Sequence, residues 1–243
     1  MFKLIRADLY KSFHRIYLLV FMAVMAALAI FINSVFASMH TPLESSLGTV
    51  PYLLMYPLFI ISMFADIVTA EENKEHTMKN TISFGISRTE LFLAKIISTI
   101  LVAFSVALVT VAAYMGSAFV LLRPESNDIS SLLLNLFLRI GTALLIYIAA
   151  AILATLLAAV VQRNAMFTFA YFGALIVPVL VLKLLNLLNP IFGQIQNKML
   201  FMQSQIIAVV PQAQLVNTVW IALIHIVIFT GLGLLLFRQQ EVN

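Results

Sequence analysis

Adjacent carboxylates at Glu71 and Glu72 are followed, after three intervening residues, by His76. Carboxylates beside a histidine are residue types that activate water for hydrolysis or bind a metal ion. The histidines of the chain show no metal-ligand spacing such as HExxH, so no zinc site is predicted. They are His14, His40, His76 and His225.

The Glu71-Glu72 pair is similar to the start of the EExxxR motif of intramembrane CAAX-type proteases. Position 76 is His where that motif has Arg, and the motif requires further histidines facing it from other membrane segments. His225 is the only other histidine in an apolar segment long enough to lie in a membrane. A protease is therefore kept as an alternative of a different class, beside an ion-driven carrier.

Nucleotide hydrolysis needs a phosphate-binding loop of the form GxxxxGK[ST]. None of the eight glycines is followed by Lys, and the chain contains no Cys, so thiolate sites and disulfides are excluded. The sequence predicts that this chain is not an enzyme and binds no cofactor itself. Any ATP hydrolysis that drives it must take place on another polypeptide.

The composition assigns the chain to the membrane. Hydrophobic residues make up 63% of its 243 residues and charged residues 10%, whereas soluble globular domains carry roughly 25% charged residues. The mean hydropathy is +1.06. The net charge of +4 would suggest a nucleic-acid partner for a soluble protein. In a membrane protein the placement of the charges matters more, and no nucleic-acid partner is predicted.

Apolar runs long enough to cross a bilayer predict an all-α polytopic membrane protein with six spans in one domain, residues 1–243. Pro57 and Pro178 predict bends in the second and fifth spans. Residues 189–217 are too apolar for a free loop and predict a short interfacial or re-entrant helix pair. The predicted spans are about 17–36, 51–70, 91–122, 132–161, 165–188 and 218–237.

Residues 1–16 have the pattern of an amphipathic helix. The apolar residues of this segment recur at three- and four-residue spacing and share one face, whereas Lys3, Lys11, His14 and Arg15 lie away from it. This predicts an interfacial helix on the membrane surface, with basic residues that anchor and orient the chain. The apolar face consists of Phe2, Ile5, Leu9, Phe13 and Ile16.

Six spans place both termini on one side of the membrane. Lys and Arg are concentrated on that side, so the positive-inside rule predicts that both termini are cytoplasmic. Only Arg123 and Lys198 lie clearly on the other side. The basic residues on the side of the termini are Lys3, Arg6, Lys11, Arg15, Lys74, Lys79, Arg88, Lys95, Arg163 and Arg238.

A polar stretch, residues 66–95, separates the second and third spans. Its Ser87-Arg88-Thr89-Glu90 sequence is a capping box, which predicts that the helix of span three starts at Ser87. Gly85 is placed to end a preceding helix in the left-handed conformation. This leaves a short helix at about 77–84, which offers Met78, Ile82 and Phe84 for contacts and Lys79 for charge. A solvated loop without a partner is the alternative.

This arrangement resembles the ABC-2 family of transporter permeases. The shared features are an acidic end to a span, a Thr-led short helix, an Ile-Ser-Arg turn and a Lys about two turns into the next helix. His76 and Gly85 stand where the family usually has Gly and Pro. The N-terminal ADLYKSFHR also resembles small permeases of lantibiotic immunity and bacitracin resistance in bacteria. The matching residues are Glu71, Thr77, Ile86-Ser87-Arg88 and Lys95.

The resemblance implies a permease in the plasma membrane that binds a separate ATPase subunit, which holds ATP and Mg²⁺. A second permease, identical or paralogous, would complete the assembly within membrane lipid. The short cytoplasmic helix between spans two and three would be the coupling helix that enters a cleft of the ATPase. The residues implied in coupling are Glu71, Glu72, Thr77, Met78, Lys79, Ile82, Phe84, Gly85, Ser87 and Arg88.

For function, the resemblance implies ATP-dependent export of an amphipathic or hydrophobic substrate. A peptide antibiotic or bacteriocin is the expected cargo, which would confer immunity or antimicrobial peptide resistance. Lipid, polysaccharide, drug or ion cargo is the alternative within the same architecture. In this family spans one, two and five line the pathway, which gives the candidates Asn33, Tyr56, Ser62, Asp66, Tyr171 and Pro178.

Ionisable residues at membrane depth suggest function by default. Asp66 lies near the cytoplasmic end of span two, and we expect it to snorkel or to pair with Lys95 or Arg163. Arg139 lies two turns into span four and is expected to reach the outer headgroups. Two further residues have structural expectations: Lys183 is expected to snorkel, and His225 to be neutral and hydrogen-bonded.

Overall fold

The computed structural model describes residues 1–74, 82–125, 129–161 and 164–239, and these residues are helical apart from short connections. The described part of the chain contains no strand, which confirms the all-α membrane fold. The helices are α1 Phe2–Phe13, α2 Ile16–Ser38, α3 Leu43–Leu53, α4 Pro57–Ala65, α5 Glu71–Lys74, α6 Arg88–Leu121, α7 Ile129–Val160, α8 Asn164–Leu185, α9 Ile191–Asn197, α10 Leu200–Val209 and α11 Leu215–Gln239; a π-helical turn, Asp66–Ala70, joins α4 to α5.

Five helices of the described chain are long and apolar enough to cross a membrane, namely α2, α6, α7, α8 and α11. Helix α3 and the α4 segment through Ala70 make a sixth crossing if they are taken together as one bent span. The two halves meet at an angle of 53°. The protein is therefore a multi-pass membrane protein with five or six crossings.

The second span is broken rather than gently bent. Its helix begins at Leu43, earlier than the predicted 51, and is interrupted at residues 54–56, immediately before Pro57. The Tyr147 hydroxyl donates to the Leu54 carbonyl, and the Tyr171 hydroxyl donates to the Leu58 carbonyl at 2.7 Å. An unpaired carbonyl in hydrocarbon costs several kcal/mol. The two tyrosines, from α7 and α8, therefore hold the break in place.

Helix α7 occupies the centre of the described fold and contacts α3, α4, α10 and α11. The sequence shows three alanines at four-residue spacing in this helix, a pattern that permits close helix approach. Ala150, Ala154 and Ala158 are all fully buried within the chain. The small residues of α7 are therefore used for packing inside one chain.

Helix α11 approaches α6 closely at Gly233. A Cβ atom at this position would lie 2.4 Å from Cζ of Phe92, so only glycine fits without displacing that ring. The Phe92 ring also stacks on Phe237, with 5.5 Å between ring centroids. We call the surrounding core the α6–α11 cluster, which consists of Leu91, Phe92, Ile96, Ile152, Leu156, Ala159 and Phe237.

The segment between the last two long helices contains α9 and α10, followed by a 3₁₀ turn at Gln212–Gln214. Arg139 of α7 is buried against the end of α10. Its guanidinium donates to the Ile207 carbonyl, to the Val210 carbonyl at 2.9 Å and to Asn135 Oδ1 at 2.6 Å. The expectation that Arg139 reaches the headgroups is wrong, because its guanidinium is buried and forms hydrogen bonds within the protein.

Candidate coupling site

The segment between α5 and α6 carries most of the predicted coupling residues. Residues 75–81 lie outside the described part of the chain, so the predictions for Thr77, Met78 and Lys79 remain predictions. The structure describes the segment again from Ile82, where Ile82 and Ser83 are helical and Phe84 and Gly85 form a turn. The described part of the candidate site therefore consists of α5 and the residues from Ile82 onward.

Helix α6 starts where the capping sequence predicts. Ser87 is the N-cap residue, and its Oγ accepts a hydrogen bond from the Glu90 backbone N–H at 3.2 Å. The second half of the capping box is not formed. The Glu90 carboxylate instead contacts the N-terminal ammonium of Met1. In a capping box the Glu90 carboxylate would accept from the Ser87 backbone N–H. Here a contact between α6 and the start of α1 takes the place of that bond.

Gly85 ends the short helical turn before α6. Its φ is +87°, and its N–H donates to the Ile82 carbonyl at 3.0 Å. A Cβ atom there would meet nothing within 4 Å. The glycine is therefore required by its left-handed backbone conformation and not by crowding.

The described end of the segment is attached to the core on one side and open on the other. Ile82 and Ile86 pack against the α6–α11 cluster. Phe84, between them, is 86% exposed. Two half-buried isoleucines thus flank an exposed aromatic side chain.

Both carboxylates of α5 form ion pairs within the chain. Glu71 pairs with Arg15, and Glu72 pairs with Lys11 at 3.3 Å and with Lys95 at 2.6 Å. This arrangement ties α5 to the N-terminal helix and to α6. It also leaves both carboxylates engaged by cations, unlike the water-activating carboxylates of a hydrolase.

Lys95 is the centre of this ion-pair network. Its side chain is 4% exposed, and its ammonium lies 2.7 Å from Asp8 and 2.6 Å from Glu72. Burial raises the pKa of the Asp8 carboxyl, while the Lys95 ammonium opposes that shift. Lys95 thus binds Asp8 and Glu72. The other partner expected for Asp66, Arg163, lies outside the described residues, so the expectation for Asp66 remains a prediction.

Helix α1 is attached to this network as well as being amphipathic. Ile5, Asp8 and Ser12 are its buried residues. Lys11 and Arg15 were expected to anchor the chain at the membrane, but they bind Glu72 and Glu71 within it. The buried face of α1 contains both apolar and polar residues. A search for apolar periodicity alone therefore does not identify it.

Three of the six pathway candidates are buried inside the chain. Tyr171 and Ser62 form hydrogen bonds to the carbonyls of Leu58 and Phe59. Asn33 is fully buried between α2, α3 and α6. These three side chains do not face the surface of the chain, whereas Tyr56 and Pro178 are exposed.

Asn33 belongs to a buried group of polar side chains between α2, α3 and α6. Its amide donates at 2.8 Å to both the Tyr114 carbonyl and Ser117 Oγ, and it accepts from Ser46 Oγ at 2.7 Å. The Tyr114 hydroxyl donates to the Ser46 carbonyl at 2.9 Å. This group therefore joins three helices through satisfied hydrogen bonds, which is a structural role.

Comparison with known families identifies the class of protein. The family model described as ABC-2 family transporter protein matches residues 4–179, which include most of α1, the broken second span, the segment between α5 and α6 and most of α8. The chain belongs to this family and is a permease of the ABC-2 type. A comparison with curated proteins finds no match.

Proposed function

We propose that this chain is the permease of an exporter and that a separate ATPase subunit docks on the segment between α5 and α6. The observation that carries the proposal is the exposed Phe84, which lies between the half-buried Ile82 and Ile86. Aromatic side chains are frequent energetic centres of protein interfaces. ATP and Mg²⁺ belong to the ATPase subunit.

Helix α6 makes this segment suitable for transmitting force. The helix is 34 residues long and begins directly at the Ser87 cap, so a push on the segment is applied to a continuous helix that crosses the membrane. The ion pairs of α5 with Lys11, Arg15 and Lys95 connect the start of this segment to α1, to the α1–α2 junction and to α6. A displacement at Phe84 would thus reach several helices at once.

The proposed orientation places the coupling segment and both termini in the cytoplasm, as the Lys and Arg distribution indicates. The proposed assembly pairs this chain with a second permease, identical or paralogous, in a bacterial plasma membrane. Amphipathic or hydrophobic cargo, above all a peptide antibiotic or bacteriocin, fits a pathway between apolar helices. Lipid, polysaccharide, drug or ion cargo would leave the coupling proposal unchanged.

The coupling role is tested by replacing residues 77–84 with a Gly/Ser segment of equal length. We expect the variant to insert into the membrane normally and to lose substrate export from vesicles, because a flexible chain cannot transmit the force of ATP-driven closure. Insertion is measured by the yield of detergent-extracted protein, and export by substrate flux at a fixed ATP concentration. The ATPase that copurifies with the wild-type chain in mild detergent is followed in the same preparations.

The control replaces residues 123–128, in the connection at the opposite end of α6, with a Gly/Ser segment of equal length and leaves the buried Leu122 in place. That variant is expected to keep its ATPase partner and its export. Normal export by the 77–84 variant would rule out the coupling role. Absence of any copurifying ATPase from the wild-type preparation would contradict the proposal of a separate ATPase.

A further inference from the structure

One face of α1 is left uncovered by the rest of the chain. Ile5, Asp8 and Ser12 face the protein, whereas Phe2 is 87% exposed and Tyr10 is 66% exposed. A groove of about 540 Å³ runs along this helix from Phe2 to His14, lined mainly by apolar side chains. Exposed apolar surfaces with polar rims mark sites that contact a partner, a ligand or a membrane.

The position of α1 shows which surface is available. Helix α2 begins at Ile16, three residues after the last residue of α1, and is one of the candidate membrane crossings. The end of α1 therefore lies where the chain enters the bilayer. The open groove beside that point is at the depth of the lipid headgroups and the first acyl carbons.

The basic residues of this region divide into two groups. Lys11, Arg15 and Lys95 are paired with carboxylates of the chain. Lys3 and Arg6 are exposed on the side of α1 that faces away from Asp8, and neither has a carboxylate partner within the described residues. Two cations beside an apolar groove thus remain available for an anion from outside the chain.

We propose that this face of α1 binds an anionic phospholipid. Arg6 and Lys3 would hold the headgroup phosphate, Arg6 through its paired N–H donors, and the acyl chain would lie along Phe2 and its apolar neighbours. The selectivity for an anionic over a zwitterionic headgroup comes from the two cations without carboxylate partners. The inference adds a lipid class to the membrane partner proposed above and does not depend on the docking of the ATPase.

The test counts lipids bound to the full-length protein. Protein purified in detergent is mixed with equal amounts of phosphatidylglycerol and phosphatidylcholine that carry the same acyl chains, and the bound lipids are counted by native mass spectrometry. A cation near a membrane surface changes affinity roughly fivefold. We expect the ratio of bound phosphatidylglycerol to phosphatidylcholine to fall roughly 25-fold in the double variant K3Q/R6Q and roughly fivefold in R6Q alone.

The control is K183Q/K198Q, which removes two exposed lysines far from α1 in the sequence. Its lipid ratio is expected to equal that of the wild type. An unchanged ratio in K3Q/R6Q, or an equal fall in both double variants, would overturn the proposal. Loss of the copurifying ATPase from K3Q/R6Q with an unchanged lipid ratio would also overturn it and would assign the face to an acidic protein surface. The ATPase measurement on the wild type separates failure of this inference from failure of the coupling proposal.

Discussion

Replacing Lys95 with Met is expected to lower the free energy of unfolding by about 3–5 kcal/mol. The ammonium of Lys95 lies between Asp8 and Glu72, and its side chain is almost completely buried. Removal of the cation leaves Asp8 without an ion-pair partner and leaves Glu72 with the more distant Lys11 alone. The effect is large because a buried charge that loses its partner cannot recover its hydration.

The single tryptophan, Trp220, provides a natural probe for this measurement. Unfolding is followed by its fluorescence during SDS titration in mixed micelles. Lys183→Met, an exposed lysine in α8, is the control and is expected to change stability by less than about 0.5 kcal/mol. The double variant Asp8→Asn with Lys95→Met should be more stable than Lys95→Met alone, because one unpaired carboxylate has become neutral. Equal stability of Lys95→Met and wild type would contradict the network.

Replacing Arg139 with Met is expected to loosen α10. The Ile207 carbonyl would normally accept a hydrogen bond from the N–H four residues later, but that residue is Pro211, which has no N–H. Arg139 supplies the missing donor and also donates to the Val210 carbonyl. Without it, each buried carbonyl left unpaired is expected to cost about 1–3 kcal/mol.

Hydrogen exchange of the purified protein measures this effect locally. Amides of residues 200–210 should exchange faster in Arg139→Met, while those of α6 remain protected at the wild-type level. Arg139→Lys is the matched variant, since it keeps the charge and loses the planar fork that reaches two carbonyls. It should give an intermediate rate. Unchanged exchange across α10 in Arg139→Met would show that the capping bonds do not stabilise this helix.

Local features of this chain were readable from the sequence because their causes lie within a few residues. The Ser87 cap, the left-handed Gly85 and the break before Pro57 depend on neighbouring backbone atoms alone. The crossings follow from runs of apolar residues, with one partial failure. The helix that leads into the bent second segment begins at Leu43, eight residues before the predicted start of the span, and hydropathy does not mark this helix because its first turns carry polar residues.

The partners of the buried polar residues were not readable, because they come from distant parts of the chain. Lys95 meets Asp8 across 87 residues, and Arg139 meets Ile207 across 68. In hydrocarbon each such group must find a partner inside the protein. The sequence shows that a partner is needed but does not show which helix supplies it. Asn33 illustrates the point, since it resembles a pathway residue by its position and serves as a junction of three helices.

The most direct test of the coupling account is site-specific cross-linking of Phe84 to the ATPase. The chain has no Cys, so Phe84→Cys introduces one unique thiol on an exposed side chain. Val120→Cys is the control. Val120 is 82% exposed and lies at the end of α6 opposite to the end that follows Phe84. With a thiol-specific photo-cross-linker and the copurifying ATPase present, the account predicts a permease–ATPase adduct from Phe84→Cys and none from Val120→Cys. Adducts from neither variant, or equally from both, would contradict docking at this segment.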